Sequence, residues 1–404
     1  MVARFLPWLF SCVILPSSRS FLQGRLPRRS WRLSKSASNG AYHQYLQNKR
    51  ETERRLEEER VQREYHDHLN RIAAGDEHAI QALGNIEDWM KYAAEGISLS
   101  PNGYGSQQVL YERHHRVLHE EQLTSIAEML DHRGFTMLSP ESFHWEDYGI
   151  SFTALAETMA NLVSAGWPPV FIFLFDQPWL LCLRLFDIMS PLLKDEKATL
   201  EASMHAWSLQ RQPKDSSIRE KVGGNFGVPH RDITYKNCHN IKDGSPDILS
   251  LWIPLVDVNA DNGCMYVVPR ESDPQFDKDD YPKDQDPFSH RFQFAAVKPL
   301  SPISAGTTLI WHPNLIHWGG SCSYYSELPP RKSIAVAFRV RESTRPSTDR
   351  EIERYGRVPY SREELLHGGP DYKARLRMIV KSLILYNVWY PTYDGLALEK
   401  IDAN

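Results

Sequence analysis

The chain lacks most of the features that assign a protein to a class at a glance. It has 5 cysteines in 404 residues, and no two of them form a C-x-x-C pair. Cys182, Cys238, Cys264 and Cys322 are scattered and Cys12 stands near the N-terminus, which argues against a disulfide framework and against a thiolate zinc site. No apolar run reaches the roughly 18 residues that a bilayer span requires, so no membrane span is expected. Nor is there a cationic excess. The net charge of −4 gives none of the basic footprint left by nucleic-acid partners. Internal repeats and low-complexity blocks are also missing after the N-terminal region. Apolar residues, by contrast, make up 41% of the chain, enough to build a sizeable core.

One absence is local. Residues 1–50 contain no Asp or Glu but carry Arg4, Arg19, Arg25, Arg28, Arg29, Arg32, Lys35, Lys49 and Arg50. A short apolar run, Phe5 to Leu15, precedes a small-x-small site at Ser18-Arg19-Ser20, the order of a secretory signal. The Arg- and Ser-rich stretch from Phe21 to Ser38 then reads as a transit peptide. Together they resemble the two-part plastid leaders of algae with secondary plastids. A single mitochondrial presequence, a secretory signal alone or an ordinary disordered tail are the alternatives. The expected organisation is a targeting leader over 1–50 and a charged helical linker over 51–79 (ETERRLEEERVQRE). A globular, helix-flanked domain over 80–350 and a C-terminal helical extension over 351–404 complete it.

Hydrophobic spacing supplies the coarse structure. Gln122 to Asp131 and Phe152 to Val163 read as amphipathic helices, as do Trp179 to Leu193 and Arg375 to Val388. Phe135 to Leu138 reads as a strand. Val170 to Phe175 (VFIFLF) reads as a buried strand from its continuous apolar run. After residue 200, Leu249 to Leu255, Met265 to Val268, Phe292 to Val297, Thr307 to Trp311 and Ser333 to Val340 form a series of short strands. Gly, Pro, Asn and Asp separate them, as in a sandwich or barrel.

Two clusters carry chemistry. In Gly227-Val228-Pro229-His230-Arg231-Asp232, residues two apart on a strand share a face. His230 and Asp232 would then converge while Arg231 points away. His317 lies downstream of the 307–311 strand. Two histidines and one carboxylate form the facial triad of non-haem Fe(II) oxygenases, which leaves metal positions open for substrates. His312, in the same WHPNLIHWGG segment, competes with His317 as the distal ligand. Further on, Arg331 and Ser333 share parity. A guanidinium can grip a carboxylate with two parallel hydrogen bonds, and a hydroxyl can add a third.

The blocks PHRD, LWIPLVDVNADNGCMYVVPRES, AGTTLIWHPNLIHWGGS and RKS resemble the phytanoyl-CoA dioxygenase family across about residues 120–345. The family's middle block ends in Pro-Gly-Ser-His. Asn262-Gly263 and Pro269 fit this block, but Arg270-Glu271-Ser272 depart from it. The resemblance implies an all-β core with flanking helices, folded as a double-stranded β-helix of cupin (jelly-roll) type. It also implies Fe(II), 2-oxoglutarate and ascorbate as cofactors, and hydroxylation of an unactivated carbon in a small-molecule substrate. Mapped onto the matching positions, it makes His230, Asp232 and His317 the iron ligands, favours His317 over His312, and assigns Arg331 to 2-oxoglutarate with Ser333 as its helper. Two other readings remain. A halogenase on this fold lacks the carboxylate that Asp232 supplies, and a non-enzymatic scaffold would not need the intact set.

Other residues are weighed against this centre. Trp252 either lines the pocket or packs the core. Asn225 and Gln210 are possible hydrogen-bond donors to the cosubstrate or ordinary loop amides. His205, His239 and His290 have no partner at metal spacing and are expected to be structural or exposed. The acidic group Asp277, Asp279, Asp280, Asp284 and Asp286 marks a polar loop, either a lid or a linker.

Overall fold

The computed structural model describes residues 35–107, 118–194, 198–201, 204–214, 229–240, 242–278, 294–340 and 360–385. The apolar run and cleavage-like site of the expected leader lie outside them, as do Asn225, His290, Asp279, Asp280, Asp284 and Asp286. The chain divides into two units, 1–58 and 59–404. The described part of the first is helical from Lys35, and helix α1 (Lys35–Ala74) continues into the second.

The charged helix is not solvated over its whole length. In the second unit its last turns bury Tyr65, Leu69 and Ile72. Short helices α2 (Glu77–Ala82) and α3 (Ile86–Met90) follow. Next come α4 (Glu120–Arg133), α5 (Phe152–Ser164) and α6 (Gln177–Leu192). Helix α4 stops at Gly134, whose φ of 79° is left-handed and favours glycine. Among the described residues, no helix is long and apolar enough to cross a membrane.

The sheet-rich core is built from two antiparallel sheets. The larger runs β1 (Phe135–Leu138), β7 (Thr308–Trp311), β4 (Ile248–Pro254), β9 (Lys332–Arg339), β2 (Thr199–Leu200), β10 (Tyr360–Ser361), with β3 (His205–Ser208) also paired to β9. The smaller runs β6 (Lys298–Leu300), β5 (Met265–Val268), β8 (Ile316–Gly319). Period-two alternation sorts the large sheet's side chains onto two faces. Leu249, Leu251, Ile253, Ile310, Ile334, Val336 and Phe338 join the helices in one core. Trp252, Leu309, Trp311 and Phe135 join residues of the small sheet in another. Because both faces are covered, β4 reads as an almost unbroken apolar run.

Two expected strands are not strands. Val170 to Phe175 lies largely within a 3-10 helix, Pro169–Leu174, every residue of which is buried. A fully buried run has no polar face to reveal its period, and Pro168-Pro169 fixes φ values suited to a helix start. In Phe292 to Val297, the described part makes a 3-10 turn, Phe294–Ala296, and the strand begins at Lys298.

The C-terminal segment is part of the main core. After α7 (Tyr235–Cys238) and α8 (Arg362–Leu366), helix α9 (Tyr372–Leu385) places Leu376, Ile379 and Val380 there. Its Arg375 forms a buried ion pair with Asp176 at 2.6 Å. Removing one partner of such a pair typically costs about 3–5 kcal/mol, so α9 is not an appendage.

Candidate metal centre

His230 and Asp232 do not sit on a strand. His230 makes an isolated antiparallel bridge with His317, each backbone N–H donating to the other's carbonyl at 3.1 and 3.0 Å. His317 lies on β8, which pairs on its other side with β5. The chain then bends, and the Asp232 N–H donates to the Pro313 carbonyl at 2.9 Å. Bridge and bend, rather than strand parity, bring the three side chains together.

Their ligand atoms all lie within 4.8 Å of one another. Asp232 Oδ1 stands 3.7 Å from His230 Nε2 and 3.6 Å from His317 Nε2. Bonds of about 2.0–2.2 Å to a shared ion would leave donors roughly 3–4 Å apart, so the set fits one cation. His317 Nδ1 lies 3.0 Å from the Leu315 carbonyl. Donating its proton there, the ring presents an unprotonated Nε2 to the centre, as metal-ligating histidines generally do. The side chains of His317 and Asp232 are 7% and 36% exposed, so the centre opens on the Asp232 side.

His312 is not part of the set. It is buried, and its ring stacks on His239 at 4.7 Å between centroids. Phe276 meets it edge-on at 6.0 Å. Burial, with His239 and Arg270 nearby, pushes its pKa down to about 3. In the unfolded chain it would take up a proton below about 6.5, but in the fold not until about 3. Its contribution to stability is therefore complete above 6.5 and lost as pH falls toward 3, by up to about 1.4 kcal/mol per unit. Metal-free protein should lose about 2 kcal/mol from this residue between pH 7 and 5, and His312→Phe should flatten that limb. Denaturant midpoints at both pH values check this, and an equal drop in the variant would refute it.

Arg331 immediately precedes β9 and is 3% exposed. It donates to the Gly263 carbonyl, lies 3.6 Å from Met265 Sδ, and stands 5.7 Å over the Trp252 ring. The Asn-Gly pair in the middle block thus has a structural task. Asn262, wholly buried, bonds the carbonyls of Asp257 and Pro329 at 2.8 Å, while Gly263 holds φ at +105° and turns its carbonyl to Arg331. Gly319, two residues after His317, gives the guanidinium room, since a Cβ there would meet Nη2 at 3.0 Å. Among the described residues no carboxylate pairs with Arg331. Its Nε and the nearby Ser333 Oγ are buried without hydrogen-bond partners. Burial lowers the arginine's pKa to about 10, which leaves it cationic at neutral pH. A buried, unneutralised cation is costly and invites an anion.

Trp252 shares this face of the large sheet, where its Nε1 is also buried and unpartnered. Gln210 is exposed. Arg270, at the departure from the family pattern, bonds both the carbonyl and carboxylate of Asp131 at 2.7 and 2.8 Å, so it fastens this loop to the end of α4. His205, expected to be structural or exposed, lies opposite Ala335 on the face that carries Ser333 and Trp207. Asp232 acts on it electrostatically, while burial dominates and lowers its pKa to about 4. The sequence held no signal for this proximity beyond the parity of His205 and Trp207 on an unassigned strand. The four described cysteines are buried and form no disulfide.

The phytanoyl-CoA dioxygenase family model matches residues 161–322, which include His230, Asp232 and His317. Over this segment the chain is similar to that family. The match ends before Arg331 and Ser333. Among solved structures, the chain is similar to the epimerase SnoN crystallised with Fe3+, alpha ketoglutarate and nogalamycin RO. That likeness has 18% identity, covers 54% of this chain and 84% of that one, and has a TM-score of 0.36. AviO1 from Streptomyces viridochromogenes Tue57 is similar at 16% identity, with 55% and 96% covered and a TM-score of 0.35. HygX from Streptomyces hygroscopicus, with nickel and 2-oxoglutarate bound, is similar at 14% identity, with 56% and 89% covered and a TM-score of 0.29. No curated protein matches the sequence.

Proposed function

We propose that this chain is a phytanoyl-CoA dioxygenase family member, an Fe(II)- and 2-oxoglutarate-dependent hydroxylase of a small-molecule substrate, on a core that we read as a double-stranded β-helix. The observation that carries the reading is the meeting of two imidazoles and one carboxylate at a partly open point. Two histidines and a carboxylate are a donor set suited to non-haem iron, and they leave further positions for substrates.

His230, Asp232 and His317 would hold the iron. Bound Fe(II) supplies the redox centre at which dioxygen and 2-oxoglutarate are consumed and a C–H bond is oxidised. Arg331 serves the distal carboxylate of 2-oxoglutarate through the paired geometry its guanidinium offers. Ser333 Oγ, buried and unpartnered, adds a hydrogen bond. Trp252 and Met265 line the arginine and exclude water from the charge pair, which strengthens it. The Leu315 carbonyl fixes the tautomer of His317. Asp232 fills the position that a halogenase on this fold would leave for halide.

Anaerobic loading with Fe(II) and 2-oxoglutarate should produce a metal-to-ligand absorption band. Admitting oxygen should then release succinate from labelled 2-oxoglutarate even without the primary substrate. Chelation should abolish both signals. Absence of the band and of succinate in freshly loaded protein would overturn the proposal.

A further inference from the structure

Arg231 sits between two of the proposed ligands, and its side chain is engaged elsewhere. Its guanidinium meets the Asp273 carboxylate at 2.6 Å, with the two side chains 8% and 0% exposed. It also donates to the Asn314 carbonyl. Asp273 Oδ2 makes no directional hydrogen bond, so its contact with Arg231 is one of charge.

Both partners are themselves tied down. Asp273 Oδ1 accepts from the Gln275 N–H at 3.1 Å, and its carbonyl accepts from the Phe276 N–H at 3.1 Å. The Phe276 carbonyl accepts from Asn314 Nδ2 at 2.9 Å. Asn314 is wholly buried, and its Oδ1 accepts from Cys238 Sγ at 3.5 Å. The neighbouring Pro313 carbonyl holds the Asp232 N–H, and the Leu315 carbonyl holds His317 Nδ1. Three segments, 230–234, 270–276 and 312–315, therefore close into one polar circuit in which Arg231 is the charged link. The first carries His230 and Asp232, and the third orients both Asp232 and His317.

We infer that the buried Arg231–Asp273 pair is a positioning device that presets the ligand turn for its metal. The inference rests on the reading of His230, Asp232 and His317 as ligands. A turn of single bridges and bends has no strand ladder to hold it. Without the clamp, ordering the ligands would be charged to metal binding. Outer-shell partners of metal ligands typically control affinity by about 10–100-fold.

Replacing both members of a buried ion pair by apolar residues of similar size often preserves stability, whereas removing one strands the other charge. The informative variant is therefore the double substitution Arg231→Met/Asp273→Leu. Co(II), whose visible bands report ligand geometry, is titrated into metal-free wild-type and double-variant protein, with thermal unfolding of both recorded beforehand. The expected result is an unchanged melting transition, an affinity lower by about 10–100-fold and shifted cobalt bands. Arg231→Lys, which keeps the buried charge opposite Asp273 and removes the fork that also reaches the Asn314 carbonyl, should shift both in the same direction by less, and it carries the test if the double variant does not fold. A well-folded variant with wild-type affinity and bands would overturn the inference and leave the metal centre standing. Wild-type protein that takes up no Co(II) or Fe(II) would overturn the metal reading and this inference with it.

Discussion

Asp232→Ala should abolish turnover while leaving the fold standing. The side chain is 36% exposed and within reach of both imidazoles, but it packs in neither core. The backbone N–H that anchors the bend to Pro313 survives the substitution. Surface changes away from packed features usually stay within about 0.5 kcal/mol, so the melting transition should barely move. The metal loses its anionic donor and keeps two neutral ones. Losing an outer-shell partner already costs about 10–100-fold. Loss of a ligand should exceed that, with at least a hundredfold fall in Fe(II) affinity and in succinate formation. Fe(II) binding, activity and thermal unfolding are measured on one preparation. Full activity in the variant would sink the triad. A collapsed fold would assign Asp232 a structural role.

Arg331→Gln should raise the KM for 2-oxoglutarate far more than it weakens iron binding. The guanidinium is buried and has no carboxylate partner among the described residues, while the unpaired Ser333 Oγ stands near it. A hydrogen bond to a charged group is worth about 1.5–3 kcal/mol. Its loss corresponds to roughly ten- to a hundredfold, at about 1.4 kcal/mol per factor of ten. Arg339 shares the parity of Arg331 along β9 and serves as the control. It already forms an ion pair with Glu201, next to β2, so Arg339→Gln should leave cosubstrate binding unchanged. Titrating 2-oxoglutarate into both variants under anaerobic Fe(II) separates the two. Wild-type binding in Arg331→Gln with weakened binding in Arg339→Gln would move the anchor to the other end of the strand.

Both variants address residues that the sequence itself singles out, though not always for the right reason. Strand parity pairs His230 with Asp232 in the sequence. In the fold they converge because His230 bridges to His317 and the chain bends onto the Pro313 carbonyl. Arg331 and Ser333 do lie in one extended segment, Ser333 within β9 and Arg331 directly before it. His312 and His317 both stood open on spacing alone. The structure separates them, burying one in an aromatic stack and aiming the other at Asp232.

Local chemistry determined much of the framework. Amphipathic spacing marked α4 and α5 to within a few residues, because each has one face toward a core and one toward water, whereas α6 was marked by its apolar content and is buried on almost every side. Gly134 ended α4 where its left-handed φ was needed. Short apolar runs and the Gly, Pro, Asn and Asp between them marked β4, β5, β7 and β9. The tertiary structure decided whatever depends on contacts distant in the chain. VFIFLF lies largely within a 3-10 helix, which its sequence did not reveal because a run buried on every side has no polar face to mark its period. His205 came to share a sheet face with Ser333 because β3 pairs with β9. Arg231 found Asp273, and Arg331 found the Gly263 carbonyl. A residue's type and its near neighbours fix which backbone shapes and which donor chemistry it can offer. Which groups meet, and which buried charges are left without a partner, is set by strand pairing and packing between segments far apart in sequence, and spacing along the chain does not encode that distance.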